Sequence, residues 1–335
     1  MATDRSPATA GGNVSPVRAP SLTVPARSWV PGFLALAVIW GSSFLLIKVG
    51  VSELPALYVS CGRVLSAAVV LLVIALIRRE RPPGRLVVWG HNAVVGVLGV
   101  AAPFSLFAYG EQRISSSLAG IWNSMTPLVV LPLAVLVFGT ERMSARKVVG
   151  LALGFVGALV ILGVWQGVGG SALSGQLMCL GAAACYGVAI PYTKRFVAPL
   201  SHSGVVMSAI QMLAGSLVLV VAAPLVHGPP PDPRGLSPHV VAAVGVLGAV
   251  GTGIAFLINL HNIRTVGAST ASMVTYVIPV FATLIGVLVL HEHVTWHQPV
   301  GVLIVLLGVA VAQDVLRRPL RWQRDLGGEA RRERG

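Results

Sequence analysis

The sequence predicts an all-α membrane protein with ten transmembrane helices arranged as two inverted five-helix repeats. Its composition gives the first reason, because 55% of the 335 residues are hydrophobic and only 10% are charged. The mean hydropathy is +0.83, whereas soluble proteins carry about 25% charged residues. The second reason is that one half of the sequence repeats the pattern of the other, with an odd number of apolar stretches in each.

Ten apolar stretches of about 20 residues are long enough to cross the hydrocarbon core of a membrane as helices. They lie at about residues 29–50, 56–77, 88–110, 118–138, 147–165, 173–194, 204–226, 239–261, 268–290 and 297–316. Pro127 and Pro279 fall in the fourth and ninth stretches, where a proline is expected to kink the helix. The ten stretches leave no room for a large soluble domain.

The duplication is visible in short motifs. Residues 40–48 read WGSSFLLIK and residues 186–194 read YGVAIPYTK, so an aromatic residue, a glycine and a lysine recur at an offset of 146. Further pairs recur at offsets of 151 or 152: Gly99 with Gly251, Phe104 with Phe256, Ala119 with Ala271, Pro127 with Pro279, Glu141 with Glu292, and Gly150 with Gly301. Five spans per copy force the copies into opposite orientations, an arrangement from which many secondary transporters build a central site.

These patterns divide the chain into four segments. We expect a disordered cytoplasmic tail at 1–28, a first five-helix repeat at 29–165, a second repeat at 172–316 and a basic cytoplasmic tail at 317–335. The first tail is rich in Pro, Ser, Ala and Gly and poor in large apolar residues, which is typical of disorder. A signal peptide is not expected, because its apolar region would be shorter and would begin nearer the start.

The net charge of +13 is concentrated in alternate loops. Lysines and arginines cluster at 78–85, 142–147, 194–195 and 264 and in the last tail. This positive-inside pattern predicts a multi-pass protein of the plasma (bacterial inner) membrane with both termini in the cytoplasm. The lipid bilayer is the expected partner of the basic segments. Nucleic acid is not expected as a partner, because the chain has no folded basic domain.

Arg63 is the most informative single residue, because it lies eight residues into the second span, at a depth of about 12 Å. A buried arginine is unfavourable there unless it faces water or a partner. It can serve as a cationic anchor for a substrate carboxylate or phosphate, or in an ion pair at a gate. The alternatives are that it bonds to helix carbonyls or extends outward to the interface, as Lys48 and Lys194 are expected to do near their span ends.

Polar and aromatic residues that converge at membrane depth suit a small polar substrate. The candidate substrate-binding residues are Trp40, Ser43, Arg63, Tyr109, Trp122, Asn123, Tyr186, Gln211, Asn259 and Tyr276. Other roles stay open, because serines can bond to their own helix, asparagines can bond between helices and tryptophans can anchor at the interface. The glycines at 150, 154, 157, 245, 248 and 251 have the spacing of closely packed helices.

The motifs together resemble the EamA family of the drug/metabolite transporter superfamily, over about residues 33–315. The features are WGSSF at 40–44, Arg63 in the second span, a proline after the start of the fourth, and GTERMSARKVVG at 139–150 leading into the fifth. The second copy repeats the plan with Gln211 in the place of Arg63. The resemblance implies a ten-helix fold of two inverted halves, a central cavity and alternating access.

Several other functions are disfavoured. No Asp or Glu lies in the centre of a span, where small multidrug transporters of the wider superfamily carry a glutamate for proton exchange. Glu111, at the end of the third span, is the nearest candidate for coupling and could pair with Arg113 or Arg63. The chain lacks the serine, histidine or paired aspartate pattern of an intramembrane protease, so no catalytic residue is expected. His291, Glu292, His293 and His297 could bind a metal, but loop histidines are more often solvated, so neither metal nor cofactor is expected.

We therefore expect a secondary active transporter, not an enzyme, for a small polar metabolite. An amino acid or related anionic or zwitterionic compound is the favoured substrate class and export the favoured direction. A multidrug exporter or a nucleoside or sugar transporter of the same fold is the alternative, and a channel is less favoured. A homodimer is left open, because ten spans suffice to enclose a site in one chain.

Overall fold

A computed structural model describes residues 29–140, 143–162, 165, 170–200, 202–271 and 274–312. All secondary structure in these residues is helical, as the composition predicts. The expectations for the two tails at 1–28 and 317–335 lie outside the described residues.

The described residues form thirteen α-helices. They are α1 (Val30–Gly50), α2 (Ala56–Ile77), α3 (Leu86–Gly96), α4 (Ala102–Glu111), α5 (Ser116–Asn123), α6 (Thr126–Leu136), α7 (Ala145–Leu162), α8 (Gly170–Tyr192), α9 (Gly204–His227), α10 (Pro238–Gly248), α11 (Ala255–Ala271), α12 (Val274–Leu290) and α13 (His297–Ala312). A π-helical turn, Val97–Ala101, joins α3 to α4, and another, Ala249–Ile254, joins α10 to α11. A third π-helical turn, Thr193–Val197, extends α8.

Seven continuous stretches of the described helices are long and apolar enough to span a membrane. They are Val30–Gly50, Ala56–Ile77, Leu86–Glu111, Ser116–Leu136, Ala172–Leu200, Gly204–His227 and Pro238–Ile263. The protein is therefore a multi-pass membrane protein. The predicted fifth, ninth and tenth spans lie on α7, α12 and α13, which have 18, 17 and 16 residues, and the full set of ten spans stays a prediction.

Two details of the predicted spans differ from the structure. The fourth span is broken, not kinked, because α5 ends at Asn123 and α6 begins at Thr126. Pro127 lies in the first turn of α6, where its missing N–H removes no helical hydrogen bond, while Pro279 lies inside α12. The expected gap between the eighth and ninth spans is also wrong, because α11 continues to Ala271.

Helices of the first half of the sequence pack mainly on helices of the second half. α1 packs on α12, α2 on α9 and α10, α3 on α9, α8 on α4 and α6, and α7 on α13. Large apolar side chains such as Leu76, Leu136 and Leu225 remain exposed on the outside of the bundle. This distribution suits a helix bundle surrounded by lipid, in which packing between helices holds the fold together.

Close packing of α7 on α13 depends on glycine. A Cβ atom added to Gly157 would lie 2.8 Å from the carbonyl oxygen of Gly301 and 2.8 Å from the backbone nitrogen of Val305. The backbone of Gly308 likewise approaches that of Gly150 and Gly154. The predicted packing role of the glycines in the fifth span is therefore confirmed. In the eighth span Gly248 packs against α2. Nothing lies within 4 Å of a Cβ atom at Gly245, so the packing prediction is wrong for this one glycine.

We expect Gly157→Ala to destabilise the protein and Gly245→Ala to leave it as stable or more so. At Gly157 the new methyl group meets backbone atoms that cannot rotate away, and overpacking of this kind costs about 1–3 kcal/mol. At Gly245 the methyl group enters open space, and alanine favours the helix by about 1 kcal/mol. Thermal unfolding of the two purified variants in one detergent measures the difference. Equal melting temperatures would contradict the packing argument.

Candidate functional site

A cavity of about 490 Å³ lies at the centre of the bundle, between the helices of the first and second halves. Its walls come from α1 to α6 on one side and from α8, α9, α11 and α12 on the other. Seven of the ten predicted substrate-binding residues line it: Trp40, Ser43, Arg63, Asn123, Tyr186, Gln211 and Asn259. The structure therefore brings together polar and aromatic residues that are far apart in the sequence.

The other three candidates do not contribute to the described cavity wall. Tyr109 lies at the end of α4, where its hydroxyl is 2.8 Å from Nε2 of His227. Trp122 is 1% exposed, because it packs in the core between α5 and α8, and its Nε1 donates to Oε1 of Gln176 at 3.1 Å. Placing these two residues in the cavity wall was wrong. The side chain of Tyr276 lies outside the described residues.

Arg63 is held in the cavity wall by two contacts. Its Nε donates to Oγ1 of Thr252 at 2.9 Å, and its Cζ lies 3.6 Å from the centroid of the Phe104 ring. A guanidinium over an aromatic ring is stabilised by cation–π attraction. No described residue hydrogen-bonds to the two terminal nitrogens, although the side chain is only 7% exposed. The interpretations in which Arg63 bonds to helix carbonyls or extends to the interface are wrong.

Gln211 lies in the same cavity wall, on α9. Its Nε2 donates to Oδ1 of Asn92 at 2.9 Å, and Nδ2 of Asn92 donates to the carbonyl oxygen of Val88 at 2.8 Å. This chain of bonds fixes the amide and leaves its oxygen without a donor among the described residues. Arg63 and Gln211 thus offer hydrogen-bond donors and an acceptor to one central space, as a zwitterionic ligand needs.

Sequence reasoning missed the two π-helical turns in the third and eighth spans. Both turns start at equivalent positions, because Val97 and Ala249 differ by the offset of 152 found in the duplication. Gly99 of the first turn lines the cavity, and Thr252 of the second holds Arg63. π-helical turns are rare and often lie at functional sites. The recurrence of Gly99 as Gly251 was the available signal.

Further wall residues were also missed. Phe44, Phe104, Phe107 and Phe256 add aromatic surface, and Thr126, Thr193 and Thr275 add hydroxyl groups. The recurrence of Phe104 as Phe256 marked two of the aromatic residues in advance. The wall extends to Thr193, Ile263 and Thr275, which all lie toward the end of the bundle where α8 finishes and α12 begins.

Contacts between the two halves close the opposite end, where α1, α4, α9 and α12 finish; we call this the Glu292 end. Glu292 accepts hydrogen bonds from the backbone nitrogens of Ser116 at 2.7 Å and Ser117 at 2.9 Å, and from Oγ of Ser117 at 2.5 Å. Its carboxylate therefore caps the start of α5. Burial raises the pKa of Glu292, but the hydrogen bonds from Ser117 and Ser116 outweigh burial and leave the pKa below its ordinary value.

Three more contacts cross between the halves at the Glu292 end. The hydroxyl of Tyr58 donates to the carbonyl oxygen of Gly228 at 2.6 Å, and Tyr109 meets His227 as described above. The carboxylate of Glu53 accepts a hydrogen bond from the backbone nitrogen of Ser237 at 2.8 Å. Hydrogen bonding to the side chain and backbone of Ser237 lowers the pKa of Glu53. The cavity therefore approaches one end of the bundle while the other is held shut.

Lys48 and Glu111 lie beneath this closed end. The ammonium of Lys48 donates to the carbonyl oxygen of Glu111 at 2.6 Å and to that of Ile114 at 2.8 Å, so the expected extension to the interface is wrong for this lysine. Glu111 is fully buried, and neither carboxylate oxygen has a hydrogen-bond partner among the described residues. The expected pairing of Glu111 with Arg113 or Arg63 is therefore wrong, and Arg113 bonds to the carbonyl oxygen of Tyr109 instead.

The histidine cluster of the sequence is dispersed in the structure. Glu292 is turned toward α5, and Nε2 of His297 lies 2.8 Å from Oγ1 of Thr295. Within the part of the chain that the structure describes, no group of three or more His, Cys, Asp or Glu residues is placed to hold a metal ion.

The chain is similar in sequence to known proteins. The EamA-like transporter family matches the chain twice, over residues 27–163 and 173–312. Uncharacterized transporter YoaV of Bacillus subtilis is 26% identical over 280 residues, which cover 83% of this chain and 94% of that protein. Uncharacterized inner membrane transporter YedA of Escherichia coli is 30% identical over 256 residues, which cover 75% of this chain and 79% of that protein.

A solved crystal structure has the same fold with a TM-score of 0.60 and 19% sequence identity, and the match covers 87% of this chain and 99% of that one. The two family matches meet at the central cavity, because each contributes one side of its wall. The chain therefore belongs to the EamA-like transporter family.

Proposed function

We propose that this protein is a secondary active transporter that moves a small polar metabolite by alternating access. The observation that carries the proposal is Arg63, a buried guanidinium whose two terminal nitrogens bind no described residue, in the wall of a cavity of about 490 Å³. A space of this size is within the range of small-molecule sites. Such a guanidinium binds a carboxylate through two parallel hydrogen bonds.

The substrate in this proposal is an amino acid or a related anionic or zwitterionic compound. Arg63 takes the carboxylate, and the amide oxygen of Gln211 accepts a hydrogen bond from an ammonium or hydroxyl group. Trp40 and Tyr186 supply apolar contact for the rest of the molecule. None of these groups forms a nucleophile and base pair, so the proposal assigns transport without a chemical step.

Two inverted five-helix halves and ten spans complete the proposed mechanism. The double family match and the packing of helices across the halves support this arrangement. In the described state the Glu292 end is closed and the cavity approaches the other end. Rocking of the halves would break the Glu292 contacts and close the opposite end. We further propose a plasma (bacterial inner) membrane location, with both termini cytoplasmic, the Glu292 end outward and transport as export.

Efflux of a panel of labelled amino acids from loaded cells that overproduce the protein tests the proposal. We expect accelerated and saturable efflux of one compound class, and less acceleration in cells with Arg63→Ala at equal protein level. No acceleration for any amino acid would contradict the substrate class. The same assay with nucleosides then tests the alternative that the aromatic wall favours, since bases stack on aromatic rings.

A further inference from the structure

We propose that Glu111 is a proton-binding site, enclosed in the described state, that exchanges its proton when the Glu292 end opens. The proposal rests on the transport function proposed above and adds the ion that drives it. Glu111 is the last residue of α4, and it is the one carboxyl group among the described residues that is both fully buried and without any hydrogen-bond partner.

The surroundings of Glu111 favour the neutral acid in this state. Burial of a charged carboxylate without donors is far less favourable than burial of the protonated acid. The groups on neighbouring helices that interact electrostatically with Glu111 are Lys48 from α1, Arg63 from α2 and Cys179 from α8, and Tyr186 from α8 interacts with Arg63. α5 presents no charged or titratable group. Glu292, from the segment before α13, adds a second negative charge nearby.

Lys48 supplies the counter-charge for the other protonation state. Two of its three ammonium hydrogens are used by the carbonyl oxygens of Glu111 and Ile114. The third remains available, and the ammonium charge already acts on the Glu111 carboxyl group. When the Glu292 end opens, the Glu111 carboxylate, stabilised by Lys48, takes up a proton from water at that end, and the neutral acid is then enclosed in the described state.

The position of Glu111 links this proton to the substrate cavity. Phe107 lies one helical turn earlier on the same face of α4 and lines the cavity, so α4 connects Glu111 to the wall of the proposed substrate site. A change of state that moves Phe107 or breaks the Glu292 contacts therefore alters whether Glu111 is enclosed or reaches water. A single carboxylate beside an ammonium group suits a proton, whereas a sodium ion needs several oxygen ligands.

Carbodiimide labelling of the purified full-length protein tests the site without a substrate. Dicyclohexylcarbodiimide modifies protonated carboxyl groups in apolar surroundings, and peptide mass spectrometry locates the adduct. We expect labelling of Glu111 that falls at least tenfold between about pH 5 and pH 9. In Lys48→Met the labelling of Glu111 should persist to higher pH, because the ammonium that stabilises the carboxylate is gone. A purely structural role of Glu111 would not produce this change. Glu80→Gln, in the loop after α2, is the matched control and should label like the parent.

Three results would overturn the site. Absence of the adduct on Glu111 would mean that the carboxyl is not a neutral acid in this state. Labelling that does not change with pH would mean that it exchanges no proton. Protection by sodium chloride, but not by potassium chloride, would identify a sodium site in place of a proton site.

Flux measurements in proteoliposomes test the coupling, with the amino acid that passes the efflux assay as the probe. We expect Glu111→Gln to keep exchange of internal for external probe within about twofold, and to lose accumulation driven by a pH gradient. Accumulation that persists in Glu111→Gln would overturn the coupling. Absence of flux in the parent protein would instead contradict the transport proposal, and the labelling result would still decide whether Glu111 binds a proton.

Discussion

Arg63→Ala should lower transport of the amino acid substrate by about 10- to 100-fold, because hydrogen bonds to a charged group are worth about 1.5–3 kcal/mol. The loss should fall mainly on substrate affinity, since the guanidinium is already in place in the cavity wall before substrate binds. Concentration-dependent uptake into proteoliposomes measures it. The variant must first elute as a single species at the parent position in size-exclusion chromatography, because Arg63 also packs on Phe104.

Two further variants separate charge from geometry at this position. Arg63→Lys keeps the positive charge but loses the planar fork and the bond from Nε to Thr252, so we expect intermediate transport. Thr252→Val removes only the partner of Nε and should have a smaller effect than either. Transport at the parent rate by both Arg63→Ala and Arg63→Lys would show that Arg63 serves the packing of the bundle and not the substrate.

Glu292→Ala should loosen the closed end of the bundle. The substitution removes the three hydrogen bonds that Glu292 accepts at the start of α5, and loss of a helix cap typically costs about 1 kcal/mol. We expect a lower melting temperature at neutral pH. Glu53→Gln is the control, because Glu53 also binds a backbone N–H at a helix start of the same end but is exposed. A fall in melting temperature as large for Glu53→Gln would contradict a special role for Glu292.

The stabilisation of the folded protein by Glu292 should decrease as the pH falls. Its pKa is lower in the folded protein than the ordinary value of 4.5. Its contribution to stability is therefore present above about pH 4.5 and lost as the pH falls through the folded pKa. The parent protein and Glu292→Ala should thus differ in melting temperature at pH 7 and converge in strong acid. A difference that grows on acidification would contradict the hydrogen bonds seen here.

The proposed gating role of Glu292 has its own measurement. A cysteine introduced at Leu118, in a chain with the three native cysteines replaced, reports access from the Glu292 end. Leu118 is 8% exposed, so labelling by a water-soluble maleimide should be slow in the parent and faster in Glu292→Ala. Unchanged labelling would show that other contacts keep the end shut without Glu292.

The broad features of the fold could be predicted because they depend on the apolar composition and on the regular spacing of apolar stretches along the chain. Apolar stretches of span length, separated by charged loops, are sufficient to place most helices within a few residues of their observed ends. The break between Asn123 and Thr126 was not predictable in this way, because a kinked and a broken helix have the same hydropathy. The helical residues 262–267 were predicted as a gap between two spans for a similar reason, since polar residues such as His261 and Asn262 interrupt the apolar pattern but lie on a continuous helix.

The site was predicted less completely, since the side chains that line the cavity depend on how each helix is rotated about its own axis. Successive residues of a helix point about 100° apart. Asn123 therefore faces the cavity while its neighbour Trp122 faces the core, and the sequence contained no sign of which would be which. The cap by Glu292 joins residues 176 positions apart. Such a contact follows only from the packing of whole helices.

The two π-helical turns have a consequence for how this chain should be aligned with its relatives. A π-helical turn holds one residue more than an α-helical turn, and one residue rotates the following helix face by about 100°. A relative whose third span is α-helical throughout should thus align with this chain only through a one-residue gap within 97–101, and one whose eighth span is α-helical only through a gap within 249–254. An ungapped alignment would pair the wall residue Phe104 with a side chain that points elsewhere in that relative.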